Sequence, residues 1–378
     1  MTAALAEWGV RARGVEAIER ELARMRRERS RRARVSGTSS ARTSVLTLIV
    51  YATRPVHARR AAAAIAELSR RHPARAVIVL VDRVAPSAGE GALTTHCDVP
   101  NPAEGHEICY EQVLIHARGE VEDRVTSAVA PLVIPDLPVF LWWTGTPPLD
   151  ASHFAALVAT AGRIIVDSAD FARPAETLPR IAGLCARGKG RYGVTDLSWT
   201  RLTPWRELVT QFFDVPRWRP FLDALIEVRV GYAVDADGRQ SHPSQALLLY
   251  GWLASCLGWT GAGPISSSEA GGNTFSAARA DGGLIPVRLR PRYEGHLDVG
   301  DLTGLRLRAG LDGVEAAFVI KRTDATHAQV TADIGGAVSA RTVLLPLPSV
   351  VDLLGEELTI MASDPAYEEA LRAVVALG

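Results

Sequence analysis

The chain has 378 residues, of which 47% are hydrophobic and 22% are charged, so it is long enough to bury the cores of two domains. Its formal net charge is zero, which excludes an overall electrostatic preference for nucleic acid or for an anionic membrane surface. Its apolar runs fall short of the roughly 20 residues that a membrane-spanning helix needs, and charged residues interrupt the N-terminal stretch where a secretion signal would be apolar.

Residues 1–42 are predicted to form a basic N-terminal helix and linker. They contain eleven arginines and five glutamates, so their net charge of +6 is balanced by −6 over residues 43–378. Val15, Ile18 and Leu22 have helical spacing, and the polar run SGTSS follows as a linker. Such a basic arm can attract an acidic partner or fold back on its own acidic chain, and the sequence leaves both open.

The segment 43–195 alternates patterns of buried strands with patterns of helices. TSVLTLIVYA at 43–52 and ARAVIVLVD at 74–82 are apolar and β-branched, which is typical of parallel strands buried on both faces. The alternation predicts a doubly wound, mostly parallel α/β domain over the whole segment. Its further predicted strands cover 108–119, 137–143 and 162–170, and its predicted helices cover 54–73, 121–134, 147–161 and 174–187.

Residues 196–378 have a different pattern, which predicts a second domain of the α+β class. Helical patterns cover 203–213 and 241–259, and the second is apolar almost all round, so we expect it to be buried. Residues 261–283 are rich in Gly and Ser and are predicted to be a loop. Four alternating segments over 284–335 predict an antiparallel meander with one solvated face.

Two adjacent tryptophans, Trp142 and Trp143, end the strand predicted at 137–143. Neighbouring side chains of a strand point to opposite faces of the sheet, so the two rings cannot enter the same core layer. Either helices cover both faces, as is usual around parallel strands, or one of the rings faces a partner.

The sequence signatures of an enzyme or of a cofactor site are weak. A dinucleotide-binding strand runs into GxGxxG, whereas TLIVYA runs into TRPVHARR, whose cations offer at most an anion site. THCD at 95–98, with His106 and Cys109 nearby, holds groups suited to a nucleophile or a metal, but adjacent strand residues point apart. We therefore predict no catalytic residue, no cofactor and no metal. No zinc-like pair occurs among the cysteines, which favours a reducing, cytoplasmic setting; they are Cys97, Cys109, Cys185 and Cys256.

Tryptophan and arginine are concentrated in LSWTRLTPWRELVTQFFD at 197–214, and these residue types are enriched at the energetic centres of protein interfaces. Arg201 and Arg206 are expected to anchor an acidic group, either within the chain or on a partner. One apolar face of the predicted helix is expected to be core; it consists of Trp205, Leu208, Val209 and Phe212.

Four blocks resemble the OpcA family, the glucose-6-phosphate dehydrogenase assembly proteins of actinobacteria and cyanobacteria: TSVLTLIVYA, PDLPVFLWWTG, DLSWTRLTPWRELVTQFFD and ALLLYGWLASCLGW. The resemblance implies a noncatalytic cytoplasmic protein that binds glucose-6-phosphate dehydrogenase and promotes its assembly or allosteric activation in the oxidative pentose phosphate pathway. We expect the LWW strand end and the SWTRLTPWR segment to form or buttress the docking surface. The residues of this hypothesis are Asp136, Trp142, Trp143, Trp199, Arg201, Trp205 and Arg206.

Two other classes of function remain open. An α/β domain can bind a sugar phosphate or a nucleotide at the C-terminal ends of its strands, which would make the chain a small-molecule sensor or an enzyme. Nucleic-acid binding through residues 1–42 is the weaker alternative, because the arginine-rich run has no interleaved aromatic residues for base stacking. We therefore predict neither a nucleic-acid nor a membrane partner.

Overall fold

The structure is a computed structural model, and it describes residues 8–12, 39–41, 44–69, 71–82, 88–101, 106–118, 122–238, 241–267 and 271–377, with scattered positions between 17 and 31. The chain folds into two compact units. The first consists of Met1–Val166, Gly188–Thr195 and Ser349–Ser363, and the second of Asp167–Arg187, Asp196–Pro348 and Asp364–Gly378. The boundary predicted between 195 and 196 is one point where the chain changes unit, and each unit also takes segments from the other side of it.

The predicted N-terminal arm is described only in part. Its described positions between 17 and 31 are helical, and Arg24 forms ion pairs with Glu21 and Glu28 there. The rest of the arm, apart from the short strands at 8–12 and 39–41, lies outside the described residues.

The helices agree with most of the predicted positions. The helix predicted at 203–213 has those bounds, and the helix within 241–259 is buried along most of its length, as expected. No described helix is long and apolar enough to cross a membrane. The helices are α1 (Pro55–Leu68), α2 (Glu122–Val129), α3 (Ser152–Val158), α4 (Pro174–Gly188), α5 (Leu197–Arg201), α6 (Thr203–Phe213), α7 (Pro220–Asp223), α8 (Ser244–Leu257), α9 (Val350–Glu357) and α10 (Pro365–Val375).

The first unit is built on a mostly parallel sheet, which confirms the predicted α/β class. Its strands are β1 (Trp8–Ala12), β2 (Ser39–Ala41), β3 (Leu46–Ala52), β4 (Ala74–Asp82), β5 (Ala88–Asn101), β6 (His106–Arg118), β7 (Val139–Trp143), β8 (Arg163–Val166) and β9 (Gly193–Asp196). They lie in the order β1-β5-β6-β4-β3-β7-β8-β9, with β2 beside β6. The pairs from β6 to β8 are parallel, whereas β5 is antiparallel to both β6 and β1.

The strands at the centre of this sheet are buried because their sequences are continuous apolar runs. Every residue of β3 is buried, and α1 packs on β3 and β4 through small side chains such as Ala61 and Ala64. Of the long strand β5, only THCD at 95–98 was expected to be strand, and the register of β5 places Cys97 opposite Cys109. The side chains of THCD lie outside the described residues, so their predicted isolation is untested.

The second unit contains a mixed sheet with helices, which confirms the α+β class. Its strands are β10 (Leu225–Val234), β11 (Thr260–Gly261), β12 (Ser266–Ser267), β13 (Asn273–Ala278), β14 (Leu284–Tyr293), β15 (Leu302–Leu311), β16 (Val314–Arg322), β17 (His327–Ile334) and β18 (Ala337–Leu344). They lie in the order β11-β13-β14-β10-β15-β16-β17-β18, with β12 beside β13.

Two details of the second sheet correct the prediction. The meander predicted over 284–335 is interrupted, because β10 lies between β14 and β15, parallel to the first and antiparallel to the second. β10 was missed, although Glu227, Arg229 and Gly231 alternate with the buried Val228 and Val230 in the pattern of a half-buried strand. The predicted loop at 261–283 contains β13, whose Phe275 and Ala277 are buried on the sheet.

The two faces of the second sheet differ in polarity. On the inner face, Phe318 of β16 contacts the rings of Phe212 and Phe213 of α6, with centroid distances of 5.3 and 4.8 Å. The alternating residues Arg306 and Lys321 point to the opposite, outer face and are exposed. Strand alternation thus gives one helix-covered face and one solvated face, as predicted for the meander.

Candidate partner-binding residues

Trp142 and Trp143 are both buried in the first unit, 4% and 1% exposed. The ring of Trp143 stacks on that of Tyr51, with centroids 3.9 Å apart and an interplanar angle of 11°. Parallel pairing of β3 with β7 puts these two residues in register and therefore on the same face. Phe154 of α3 meets Trp143 edge-on at 5.0 Å. Both tryptophans are thus covered within the chain, which resolves the alternative left open by their adjacent positions.

Asp136 lies on an exposed turn that precedes β7. Its φ of 65° is in the left-handed region, which Asp tolerates better than most residues. Among the residues of the docking hypothesis in the first unit, Asp136 is accessible and the two tryptophans are not. A docking role of Trp142 and Trp143 is therefore limited to supporting the surface.

A cavity of about 410 Å³ lies at the C-terminal ends of β3, β4 and β7, where doubly wound sheets bind their ligands. The helix that follows β3 begins with Pro55, which has no backbone N–H to offer a pyrophosphate. This turn therefore offers one backbone donor fewer than a glycine-rich phosphate turn. The cavity is lined by Tyr51, Thr53, Val81, Asp82, Trp143, Thr146 and Pro148.

Arg201 has its acidic partner within the second unit. Its guanidinium donates to both carboxylate oxygens of Asp167, at 2.7 and 2.8 Å, and both side chains are largely buried. Asp196 lies beside this pair and accepts from the backbone N–H groups of Ser168 and Ser198, each at 2.9 Å. Burial, with a smaller contribution from the charge of Asp167, raises the pKa of Asp196 to about 7. The Asp167–Arg201 pair is thus an internal anchor of α5.

Arg206 and Trp199 form a second cluster at the junction of α5 and α6. The guanidinium carbon of Arg206 lies 3.7 Å from the centroid of the Trp199 ring, which is a close cation–π contact. Trp199 is buried and its Nε1 donates to Asp364 at 2.7 Å, while Asp364 also caps the start of α10. Burial lowers the pKa of Arg206, and the Asp364 carboxylate acts in the opposite direction. Arg206, which is half-buried, is the cation that this cluster presents towards solvent.

Trp205 is a core residue of the second unit. It is 2% exposed and lies on the buried face of α6, and the guanidinium carbon of Arg322 is 5.7 Å from its ring. The predicted apolar face of this helix is confirmed, since all its members are buried; they are Trp205, Leu208, Val209 and Phe212.

Two family domains match the chain. Residues 65–183 match the glucose-6-phosphate dehydrogenase subunit N-terminal domain, and residues 192–371 match the corresponding C-terminal domain. The chain belongs to the OpcA family. This confirms the resemblance drawn from the LWW and SWTRLTPWR blocks, which both fall within the matched ranges.

Cyanobacterial OpcA proteins, described as OxPP cycle proteins, are similar to most of the chain. The OpcA of Synechocystis is 26% identical, and the match covers 76% of this chain and 60% of that relative. The OpcA of Synechococcus elongatus is 29% identical, and the match covers 75% of this chain and 63% of that relative. The OpcA of Nostoc punctiforme is 30% identical over 55% of this chain and 42% of its own length. The chain therefore matches less than two thirds of the length of these relatives.

A solved NAD-binding oxidoreductase from Klebsiella pneumoniae has a distantly similar architecture. It is 12% identical, with a TM-score of 0.49, and the match covers 88% of this chain and 96% of that chain. This likeness is too distant to assign an activity to an OpcA family member.

The docking hypothesis named four residues of the second unit, but it missed the acidic groups that hold them. Asp167 follows β8 and Asp196 ends β9, and a helical turn begins at the residue after each of them, which is the position of a helix cap; each carboxylate accepts from the backbone N–H two residues later. That local signal could have identified both carboxylates. Asp364 could not be paired with Trp199 from the sequence, because 165 positions separate them.

Proposed function

We propose that this OpcA family member binds glucose-6-phosphate dehydrogenase and promotes its assembly or allosteric activation, without catalysing a reaction itself. The observation that carries the proposal is the match of both family domains, which are described as domains of a glucose-6-phosphate dehydrogenase subunit. The setting is then the cytoplasm, at the entry of the oxidative pentose phosphate pathway.

The Arg206–Trp199 cluster is the part of the second unit best suited to dock an acidic group of the dehydrogenase. A guanidinium held against a ring loses little further freedom when it binds a carboxylate, so less free energy is spent on ordering it. Trp205 and the Asp167–Arg201 pair support the cluster from within the same unit. In the first unit, exposed Asp136 is the proposed contact, supported by Trp142 and Trp143 in the strand that follows.

Activation needs no chemistry from the chain. A partner that binds the active conformation of an enzyme more tightly than the inactive one shifts the population towards the active state. A preference of about 1.4 kcal/mol changes that equilibrium tenfold, which a few well-placed contacts can supply.

Sedimentation velocity of the purified chain with the dehydrogenase of the same organism tests the proposal. We expect a complex that sediments faster than either protein and contains both. Two species that sediment independently at micromolar concentrations, with an active dehydrogenase, would contradict it.

A second function is favoured by the 410 Å³ cavity of the first unit. Asp82 ends β4 at this cavity, and a carboxylate in that place is suited to a ribose hydroxyl. Thermal shift with glucose 6-phosphate, 6-phosphogluconate and NADP separates the two functions. A melting temperature that rises with one of these ligands, but not in Asp82→Asn, would support a sensor. If none of the three ligands raises the melting temperature, the assembly role remains.

A further inference from the structure

A basic hollow lies in the outer face of the second sheet. Its volume is about 560 Å³, within the range of roughly 300–1,000 Å³ usual for small-molecule sites. Six of its lining residues are cationic and Glu294 is acidic. The cations are Arg229, Arg290, Arg292, Arg306, Lys321 and Arg322. The guanidinium of Arg322 lies near Trp205 on the inner face, so its charge is directed away from the hollow.

Two glycines form the floor of the hollow. Gly231 of β10 and Gly304 of β15 lie directly opposite each other in the antiparallel pair, so the floor has no side chains at its centre. A Cβ at Gly304 would lie 2.9 Å from the carbonyl oxygen of Ile320, and a Cβ at Gly231 would collide with the side chain of Thr303. Neither position therefore has room for a side chain, and glycine is required at both.

The walls of the hollow place like charges next to each other. Arg229 lies opposite Arg288 on one neighbouring strand and opposite Arg306 on the other, an arrangement that is unfavourable without a counter-charge. In the adjacent row, Lys321 flanks the glycine floor. The sheet thus concentrates positive charge around an opening instead of dispersing it.

The carboxylate of Glu227 compensates only one side of this cluster. It lies 2.6 Å from Arg288, 2.9 Å from Arg229 and 3.7 Å from Arg308, so one negative charge is shared by three arginines. Within the described part of the chain, Arg306 and Lys321 form no ion pair. Positive charge therefore remains at the hollow's edge.

We propose that this hollow binds a phosphorylated small molecule that carries at least two negative charges. Guanidinium groups bind phosphate oxygens in bidentate geometry, and an ammonium such as that of Lys321 adds a mobile point charge. Pro291 and Val319 also line the hollow and provide apolar contact for the organic part of the ligand. The glycine floor lets a phosphate approach the backbone closely.

A second copy of this chain does not suit the same face. A two-fold contact would set one row of arginines against its own copy, and like charges across an interface are strongly unfavourable. The volume of the hollow and its concentration of cations fit a compact polyanion better.

Isothermal titration of the full chain with inorganic pyrophosphate, and with inorganic phosphate for comparison, tests this site without any dehydrogenase present. We expect one equivalent of pyrophosphate to bind, more tightly than phosphate. Arg306→Gln and Lys321→Gln should each weaken the binding about tenfold, because each removes one charge-assisted contact. Both side chains are exposed, so the variants should keep the melting temperature of the parent chain.

Arg341→Gln is the matched control, since Arg341 is an exposed arginine of the same sheet whose side chain donates to Gln211 of α6. Three results would overturn the proposal: no pyrophosphate binding, equal binding by Arg306→Gln and the parent, or equal weakening by Arg341→Gln. Loss of dehydrogenase binding in Arg306→Gln and Lys321→Gln, without any anion binding by the parent, would instead make this face a protein-docking surface and also overturn it.

Discussion

Arg206 lies over the ring of Trp199, with its guanidinium carbon 3.7 Å from the centroid of the indole. The same indole donates its N–H to Asp364, which caps the start of α10. One tryptophan therefore links the start of α6 to the start of the last helix while holding a cation at the surface. This link couples the shape of the proposed docking site to the stability of the second unit.

Trp199→Phe should destabilise the second unit by about 1–3 kcal/mol, because it removes a hydrogen bond to a carboxylate and keeps most of the ring. Urea unfolding followed by far-UV circular dichroism measures the change. Trp218→Phe is the control, since Trp218 is half-buried with an arginine 5.7 Å from its ring. Equal stability of the two variants would show that the Asp364 contact contributes little.

Trp143→Ala should cost about 3–5 kcal/mol of folding free energy, because it empties a buried site between Tyr51 and Phe154. Asp136→Ala, on the exposed turn, should change the melting temperature little and weaken dehydrogenase binding. A Trp143→Ala protein that melts like the parent would show that this ring is not a core residue.

Arg201→Gln should destabilise the chain by about 3–5 kcal/mol, because it removes the positive charge that the buried Asp167 carboxylate faces. Arg173→Gln breaks the exposed pair with Glu176 and should cost less than about 1 kcal/mol. Chemical denaturation of both variants compares a buried with an exposed ion pair in the same unit. Similar losses in the two would contradict the anchoring role of Arg201.

Asp196 should make stability depend on pH. Its pKa rises from the ordinary 3.8 to about 7 in the folded chain, so the folded state binds this proton more tightly than the unfolded state. The stability that this tighter proton binding contributes is fully present below the unfolded pKa of 3.8. It is lost as the pH rises through the folded pKa of about 7. Asp196→Asn keeps an acceptor for the two backbone N–H groups, and its free energy of unfolding should fall less between pH 4 and pH 7 than that of the parent. If the free energy of unfolding changed with pH in the same way in both proteins, the raised pKa of Asp196 would be contradicted.

Local patterns predicted the elements whose partners are near in sequence or whose burial is uniform. The apolar runs of β3 and β4 are enough to predict strands, and the apolar residues of α6 at spacings of three and four are enough to predict a helix. The register of Tyr51 with Trp143 follows once β3 and β7 are known to be neighbours, but nothing in either strand specifies that pairing.

The rest depends on contacts between distant parts of the chain. The alternation of charged and apolar residues in β10 is a strand pattern that the sequence shows, but its place between β14 and β15, which sets Arg229 opposite other arginines, is specified by contacts between distant segments. The hydrogen bond of the Trp199 indole is likewise made to a distant residue, Asp364, which lies near the C-terminal end of the sequence. The sequence located the aromatic segment of the candidate site, but not which of its side chains reach the surface.

The most direct test of the assembly role is the initial rate of glucose-6-phosphate-dependent NADP reduction by the dehydrogenase of the same organism, titrated with this chain. We expect a saturable rise, with a higher half-saturating concentration for Arg206→Gln and a curve like that of the parent for Arg217→Gln. Arg217 is the control because it is an exposed arginine whose guanidinium carbon is 5.7 Å from the Trp218 ring, outside the SWTRLTPWR block. A flat titration with the parent chain, at concentrations where the dehydrogenase is active and unsaturated with partner, would contradict the account.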